Sequence, residues 1–335
     1  MKIAVLSPVA WRTPPRHYGP WEQMASNITE GLVASGMDVT LFATGDSQTS
    51  GKLNSVIRSG YEEDREQDAK VVECLHISNL MERSSEFDLI HNHYDFLPLT
   101  YSKLIHTPMI TTIHGFSSQK IIPIYKKYND SSYYVSISNS DRSPHLNYLA
   151  TVYNGIKTED FTYDALGGNY LLFFGRIHPD KGTLEAIEIA KQSNKPLIIA
   201  GIIQDQEYFD QRIRPALDDT VTFYGHAGPE ARNTLLKGAS ALLHPINFNE
   251  PFGLSVAEAM YCGTPVIAFN RGSMSEVIKD GYSGYLVKNV DEAVTSVQKT
   301  SSLKRIDCHH WARDNFSSGK MVADYIDLYK QIVQR

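Results

Sequence analysis

Glu250 and Glu258 stand with seven residues between them in the stretch Asn249–Phe269. Between and around them the pattern is loop, short helix over Leu254–Cys262, glycine stop at Gly263, then the apolar strand Val266–Phe269. A helix that begins at Gly253 leaves its first N–H groups, near Leu254 and Ser255, without intrahelical partners, and such groups favour an anion. Glu258, one turn further in, offers a carboxylate to neutral hydroxyls. The set suits a ligand with phosphate at one end and hydroxyls elsewhere.

A second constellation follows a strand at Phe174–Gly182, where Arg176 and Lys181 stand five residues apart. Arginine grips phosphate with a planar fork and lysine adds a mobile charge. Alone, the pair reads equally as a solvated surface turn; beside the glutamate helix, the phosphate reading gains. Tyr18-Gly19-Pro20 opens the first helix, with Pro20 suited to the first helical position and Gly19 allowing close backbone approach. His114 sits just past a buried strand and suits a sugar hydroxyl or the reaction centre, although an isolated case would be structural. His91 and His93 flank Asn92 without a third metal ligand, and no Asp-x-Asp occurs. No metal site is expected, and Arg176 and Lys181 are left to neutralise a diphosphate. The loop after the first strand, Ser7–Trp11, lacks Gly-x-Gly-x-x-Gly, and no Walker-type loop occurs, so a nicotinamide enzyme is excluded and no cofactor is expected.

Positioning these groups takes two domains, which is what 335 residues suggest. Hydrophobic content of 42% supplies two cores. A net charge of −6 argues against a nucleic-acid binder. Cys74, Cys262 and Cys308 are scattered and read as reduced thiols, with Cys262 serving helix packing. The start reads as a strand and not a signal peptide, and no apolar run reaches the ~20 residues of a membrane span. The expectation is a cytoplasmic protein, with peripheral contact at the inner face of the membrane.

Short apolar strands alternate with helices, which implies parallel sheets covered on both faces. In the first half the strands are Ile3–Leu6, Val39–Ala43, Asp88–His91, Met109–Ile113, Tyr133–Ile137 and Thr151–Tyr153. Thr44–Glu66 reads as loop. In the second they are Tyr170–Phe174, Leu197–Ala200, Val221–Tyr224, Ala241–His244 and Val266–Phe269. Helices fit between them at Leu184–Lys191, Glu207–Leu217, Pro229–Gly238 and Leu254–Cys262. The amphipathic tail Met321–Val333 makes a last helix. Ligands of open parallel sheets bind beyond the carboxyl ends of strands. There lie Arg12–Gly19, His91–Asp95, His114-Gly115, Gly175–Lys181, Gly201, Gly225-His226 and Asn247–Gly253. If the two sheets face each other, these loops line one cleft.

With PPRHYGPWE, TTIHG, VYNGI, FFGRIHPDKG and EPFGLSVAEAMYCGTPVIA in place, nearly the whole chain resembles the family-four retaining glycosyltransferases of GT-B fold, most closely a bacterial subgroup serving polysaccharide biosynthesis. The resemblance implies an α/β architecture of two Rossmann-like parallel-sheet domains facing each other across a cleft. It divides the chain into an acceptor-side domain over 1–158, a nucleotide-sugar donor domain over 159–316, and a helix over 317–335 crossing back to the first. Arg176 and Lys181 would bind the donor diphosphate and Glu258 the ribose. Glu250 would lie against the donor sugar, with Phe252, Gly253 and Leu254 presenting backbone to it. His114 would contact the sugar near the acceptor, and Gly19 would approach the donor phosphate. Ser255, Gly225 and His226 complete the expected donor contacts; Arg16, His17, Tyr18 and His93 are placed on the acceptor side. Catalysis would rest on Glu250, His114, Arg176 and Lys181. Family members often carry two glycines where this chain has Gly19-Pro20, and Pro20 has no N–H to offer a phosphate.

The expected activity is metal-independent transfer, with retention, of a hexosyl group from a nucleotide diphosphate sugar to a saccharide or lipid-linked saccharide. A uridine diphosphate sugar is favoured over guanosine diphosphate mannose. The alternatives are an epimerase or phosphorylase of the same architecture, and a two-lobed sugar-binding protein.

Overall fold

A computed structural model describes residues 1–116 and 118–334. The chain divides into two compact units, one formed by Met1–Gly155 with the chain from Ser318 on, the other by Ile156–Ser317.

The first unit holds a seven-stranded parallel sheet. Its strands are β1 (Lys2–Leu6), β2 (Asp38–Phe42), β3 (Lys52–Asn54), β4 (Leu89–Asn92), β5 (Met109–Ile113), β6 (Tyr133–Ser136) and β7 (Tyr148–Thr151), in the order β3-β2-β1-β4-β5-β6-β7. The central strands are apolar runs because helices cover both faces. Leu6, Phe42, Ile90, Met109 and Tyr134 form one core with Leu80 of the helix Ala69–Glu82. Strand order reverses between β1 and β4, which puts the loops after these two strands at the switch point of the sheet.

The second unit repeats the plan with β8 (Leu171–Phe174), β9 (Leu197–Ala200), β10 (Val221–Gly225), β11 (Ala241–His244), β12 (Val266–Phe269) and β13 (Gly284–Val287), in the order β10-β9-β8-β11-β12-β13. Leu171, Phe173, Ile199, Leu243 and Ile267 pack with Ile187 of the helix Thr183–Gln192. Here the reversal falls between β8 and β11, so the loops carrying Arg176–Lys181 and Pro245–Gly253 both leave the switch point.

The final helix, Ser318–Val333, buries Met321, Val322, Tyr325, Leu328, Tyr329 and Ile332, an apolar stripe at helical spacing. It packs within the first unit against the helix Pro20–Ala34. A Cβ on Gly31 would come within 2.3 Å of Val322 Cγ2, so glycine is what lets the two helices approach.

Four local expectations differ. The stretch Thr44–Glu66 contains the edge strand β3, which pairs with β2 through Leu41 and Leu53. The last strand of the first unit is Tyr148–Thr151, set by pairing of Ser136 with Thr151, and Val152-Tyr153 lie beyond it. The single helix expected over Glu207–Leu217 is three short pieces, Gln206–Tyr208, a wider-wound Phe209–Ile213 and a tight Arg214–Ala216. Pro215, with no N–H to donate, falls in the tight piece. Gly284–Val287 is a strand that the sequence did not announce.

Candidate functional site

In the second unit, the helix Leu254–Tyr261 begins at Gly253, whose φ is 87°, and no side chain caps it. The left-handed backbone conformation is what calls for glycine here, since the nearest atom a Cβ would meet, Met274 Cε at 2.8 Å, is the mobile end of a flexible side chain. The approach to this helix start is fixed from two sides. Asn247 N–H donates to the Asp180 carbonyl at 2.7 Å, and Asn247 Nδ2 donates to Glu185 Oε1 at 2.7 Å. On the other side Ser273 N–H donates to the Glu250 carbonyl at 2.9 Å, and Ser273 Oγ donates to the Phe252 carbonyl at 2.9 Å. Phe252 itself is core, its ring edge-on to Phe316 at 5.6 Å, so only its backbone faces the loop.

Lys181 Nζ donates to Glu250 Oε2 at 2.8 Å, and both side chains are mostly buried. The ammonium also lies 4.4 Å from the centre of the Phe248 ring. His244 Nε2, at the end of β11, is 3.6 Å from the same carboxylate oxygen. Burial works to raise the Glu250 pKa, but His244 and the Lys181 charge outweigh it and hold the carboxyl at about 2. Arg176 is steadied by its own loop: Nη1 donates to Gln204 Oε1, and Nη2 stands 3.7 Å from Asp180 Oδ2. The backbone of this corner is crowded. A Cβ on Gly201 would fall 1.8 Å from the Gly175 carbonyl oxygen, and Gly201 N–H donates to the Gly225 carbonyl at 2.8 Å.

Glu258 is 4% exposed, and its carboxylate is engaged by Arg232 of the helix Pro229–Gly238. Arg232 Nε donates to Oε2 at 3.0 Å, and Nη2 meets Oε1 in a second contact. The structure therefore joins Lys181 with Glu250 and gives Glu258 a partner of its own. Leu254 and Ser255 form the first turn of the Leu254–Tyr261 helix and are partly exposed; Gly225 ends β10, and His226 is exposed beside it.

In the first unit, His93 follows β4 and His114 follows β5, and His93 Nδ1 is 3.0 Å from His114 Nε2. Trp21, next to Pro20, stacks on His114 with ring centres 5.7 Å apart, which brings the Gly19 turn to this pair. Gly19 has φ 151° and no room for a Cβ, which would lie 2.9 Å from Glu22 Oε2 and Pro15 Cβ. Beneath lies His91, whose Nδ1 bonds the Tyr329 hydroxyl at 2.6 Å and whose Nε2 bonds Thr112 Oγ1 at 2.7 Å. Thr112 Oγ1 in turn bonds the Tyr325 hydroxyl at 2.6 Å. Burial pushes His114 down to about 3 and holds His91 and His93 well below the usual histidine range. All three are neutral rings at physiological pH. Arg16 bridges Asp46 and Glu63 at 3.0 and 2.7 Å, while His17 and Tyr18 are exposed.

Among the described residues, no group of three or more His, Cys, Asp or Glu side chains is placed to hold a metal ion, and no helix is long and apolar enough to cross a membrane. Burial lifts the Cys262 thiol to about 12, so it packs and does not attack. Sequence reasoning did not find Arg232, His244, Tyr325 or Tyr329 as polar partners. Their partners are remote in sequence, and the tyrosines showed only as an apolar stripe.

Two family models cover most of the chain. The model described as glycosyl transferases group 1 matches residues 157–313, and that described as glycosyltransferase family 4 matches residues 22–160. An uncharacterized glycosyltransferase of Methanocaldococcus jannaschii is 24% identical, over 90% of this chain and 89% of that one. A glycosyltransferase of Rickettsia africae superposes with a TM-score of 0.80 at 15% identity, covering 100% and 99% of the two chains. The Anabaena protein Alr3699/HepE, solved in complex with UDP-glucose, gives 0.75 at 16% identity, covering 99% and 100%. The two solved structures share the fold: two parallel-sheet α/β domains of GT-B type.

Proposed function

Because this chain belongs to the family-four glycosyltransferases of GT-B fold, we propose that it moves a hexosyl group, with retention, from a uridine diphosphate sugar to a saccharide or lipid-linked saccharide. The observation that carries this reading is the buried Lys181–Glu250 pair beside the uncapped helix start at Gly253. It sets a cation, a carboxylate and free backbone donors at one switch point of the sheet. An ammonium has three N–H donors; one serves Glu250, which leaves two for a phosphate oxygen. Arg176, steadied by Gln204 and Asp180, supplies a second cation.

As the bond from the anomeric carbon to the diphosphate breaks, charge builds on the leaving phosphate. Lys181, Arg176 and the N–H groups of Leu254 and Ser255 stabilise it without a metal. The acceptor hydroxyl bonds to the anomeric carbon on the face that the diphosphate leaves and passes its proton to the departing phosphate oxygen. Glu250, held ionised, stabilises positive charge at the anomeric carbon and orients the sugar, and Glu258 takes the ribose hydroxyls. In the first unit, the neutral His114 and His93 suit sugar or acceptor hydroxyls, and the exposed His17 and Tyr18 suit the acceptor. The similarity to a protein that binds UDP-glucose favours uridine in the donor, and polysaccharide precursors are the acceptor class.

The test is nucleotide release from UDP-sugars with and without saccharide acceptors, with the anomeric configuration of the product read by NMR. Release that requires acceptor and keeps the configuration supports the reading. Inverted product, acceptor-independent sugar isomerisation or strict dependence on a divalent metal would overturn it. Arg176→Ala, with an unchanged melting temperature, is expected to lose turnover; near-normal rates would remove Arg176 from the site.

A further inference from the structure

His244 closes β11, where it pairs with Ala268 of β12, so its backbone is fixed by the sheet. Its side chain is 8% exposed, and Nε2 is buried without a hydrogen bond. That nitrogen stands 3.6 Å from Glu250 Oε2, the same oxygen that accepts from Lys181 Nζ at 2.8 Å. A buried ring nitrogen left unpaired is costly, and this one faces a carboxylate already in use. Among the described residues no other carboxylate comes as near to it. The other charged groups of these loops are engaged elsewhere. Arg176 and His178 face Asp180 at 3.7 and 2.7 Å, Glu185 accepts from Asn247 at 2.7 Å, and Arg271 Nη1 donates to Asn247 Oδ1 at 3.4 Å. The two partners of Glu250 differ in freedom. His244 is held on a central strand, whereas Lys181 ends the short turn Pro179–Lys181 and carries its charge on a flexible stem. Of the two, Lys181 is the one that can turn toward a ligand.

We propose that His244 is a positioning residue that takes over Glu250 when Lys181 turns to the donor diphosphate, gaining a proton from solvent as it does so. The inference rests on the reading that Lys181 meets the diphosphate. An ammonium drawn to phosphate loosens its hold on Glu250, and a buried carboxylate left without a cation is strongly disfavoured. Imidazole is the side chain that changes charge near neutral pH. The proton leaves water or buffer and settles on the ring, which becomes an imidazolium with N–H on both nitrogens, and Nε2–H donates to Oε2. Charge is then matched in both states. Lys181 serves Glu250 in the free protein; in the complex Lys181 serves phosphate and His244 serves Glu250. Glu250 stays ionised and in place while the lysine moves. Binding of the diphosphate therefore consumes protons, and affinity falls as pH rises through the neutral range. A histidine that merely filled the end of the strand would lower stability when replaced and leave the proton count unchanged.

The test is isothermal titration calorimetry of the full chain with UDP near neutral pH, in PIPES and in imidazole buffer. The dependence of the observed heat on the buffer's ionisation enthalpy counts the protons taken up. The terminal phosphate of UDP contributes alike to wild type and variant, so the difference belongs to His244. Wild type is expected to take up about half a proton more per UDP than His244→Gln, which keeps a neutral N–H near the position of Nε2. Between about pH 6.5 and about pH 8, wild-type affinity is expected to fall about threefold more than that of the variant. His244→Asn carries the same expectation and serves if the glutamine variant does not fold. Equal proton counts in wild type and a folded His244 variant overturn the inference. A wild-type protein with no measurable affinity for UDP overturns the proposed donor class. Full UDP affinity in Lys181→Met overturns the phosphate role of Lys181 on which the inference rests.

Discussion

The second unit buries charge: Lys181 pairs with Glu250 in the loops after β8 and β11, and Arg232 pairs with Glu258 between the helices Pro229–Gly238 and Leu254–Tyr261. The first unit, on the same parallel plan, suppresses charge. His91, His93 and His114 are held neutral by burial, and burial also drives Glu22 up to about 7 and Asp141 up to about 7. One sheet architecture thus supplies two kinds of switch point. Paired charges poised beside a helix start are suited to a polyanion. Neutral rings and hydroxyls are suited to a ligand that is itself neutral and hydroxylated. The difference arises in which residues each loop carries and not in how the strands are ordered.

The sharpest way to break this contrast is to neutralise the second unit. Lys181→Met is expected to lower turnover about 10²–10³-fold, the usual loss when one donor to developing charge is removed. It also leaves Glu250 buried without its partner, which costs about 3–5 kcal/mol in chemical denaturation. Adding Glu250→Gln should restore most of that stability and none of the turnover. Turnover within threefold of wild type in the single variant would make the pair structural and erase the contrast. The acid dependence has a definite sign. Glu250 is held at about 2 against an ordinary 4.5, so its contribution is present above about pH 4.5 and is lost as pH falls from there toward 2.

The next effect tests charge suppression in the first unit. Glu22 has a folded pKa of about 7 against an ordinary 4.5, so the protonated form is favoured by folding. Its stabilising contribution is present below about pH 4.5 and is lost as pH rises through 7. At pH 8, Glu22→Gln is expected to be more stable than wild type by about 3 kcal/mol, an advantage that vanishes near pH 4.5. The histidines run the other way. With His114 pushed to about 3 and His76, buried on the helix Ala69–Glu82, to about 4, the stability of their neutral burial is complete above about pH 6.5 and declines as pH falls. The two trends oppose each other in wild type, so Glu22→Gln should also steepen the acid loss between pH 7 and 5. A pH-independent effect of the substitution would mean that Glu22 is ionised in the folded chain.

The strands that frame both switch points were legible where burial on two faces writes an unbroken apolar run. Met109–Ile113, Leu197–Ala200, Ala241–His244 and Val266–Phe269 have the bounds that their composition suggests. Lys52–Asn54 was not legible, because three residues, two exposed and one half-buried, show no alternation. It is a strand through pairing with β2 and through Glu30, which accepts from Thr49 Oγ1 at 2.6 Å and Ser50 N–H at 3.1 Å. The candidate site divides in the same way. Gly253 and the helix behind it declared themselves through glycine and spacing, since the chain needs a left-handed residue there. The partners did not. Lys181 meets Glu250 across 69 positions and Arg232 meets Glu258 across 26, and nothing local in either segment encodes the meeting. Sequence types the residues that carry charge; the crossing of strands decides which charges neutralise one another.

The smallest expected effect concerns the layer beneath the first unit's histidine pair. Tyr329→Phe removes the hydroxyl that bonds His91 Nδ1 and leaves a buried ring nitrogen unsatisfied, at a cost of about 1–2 kcal/mol. Tyr325→Phe should cost less, because Thr112 Oγ1 keeps its bond to His91 Nε2 at 2.7 Å. His91 bonds oxygen on both sides, so a single neutral tautomer satisfies it, one nitrogen donating and the other accepting. Neither variant touches the paired charges of the second unit, and calorimetric affinity for UDP should stay within twofold of wild type. A loss of UDP affinity in Tyr329→Phe would mean that the neutral layer sets the anion site as well, and the two switch points would have to be treated as one.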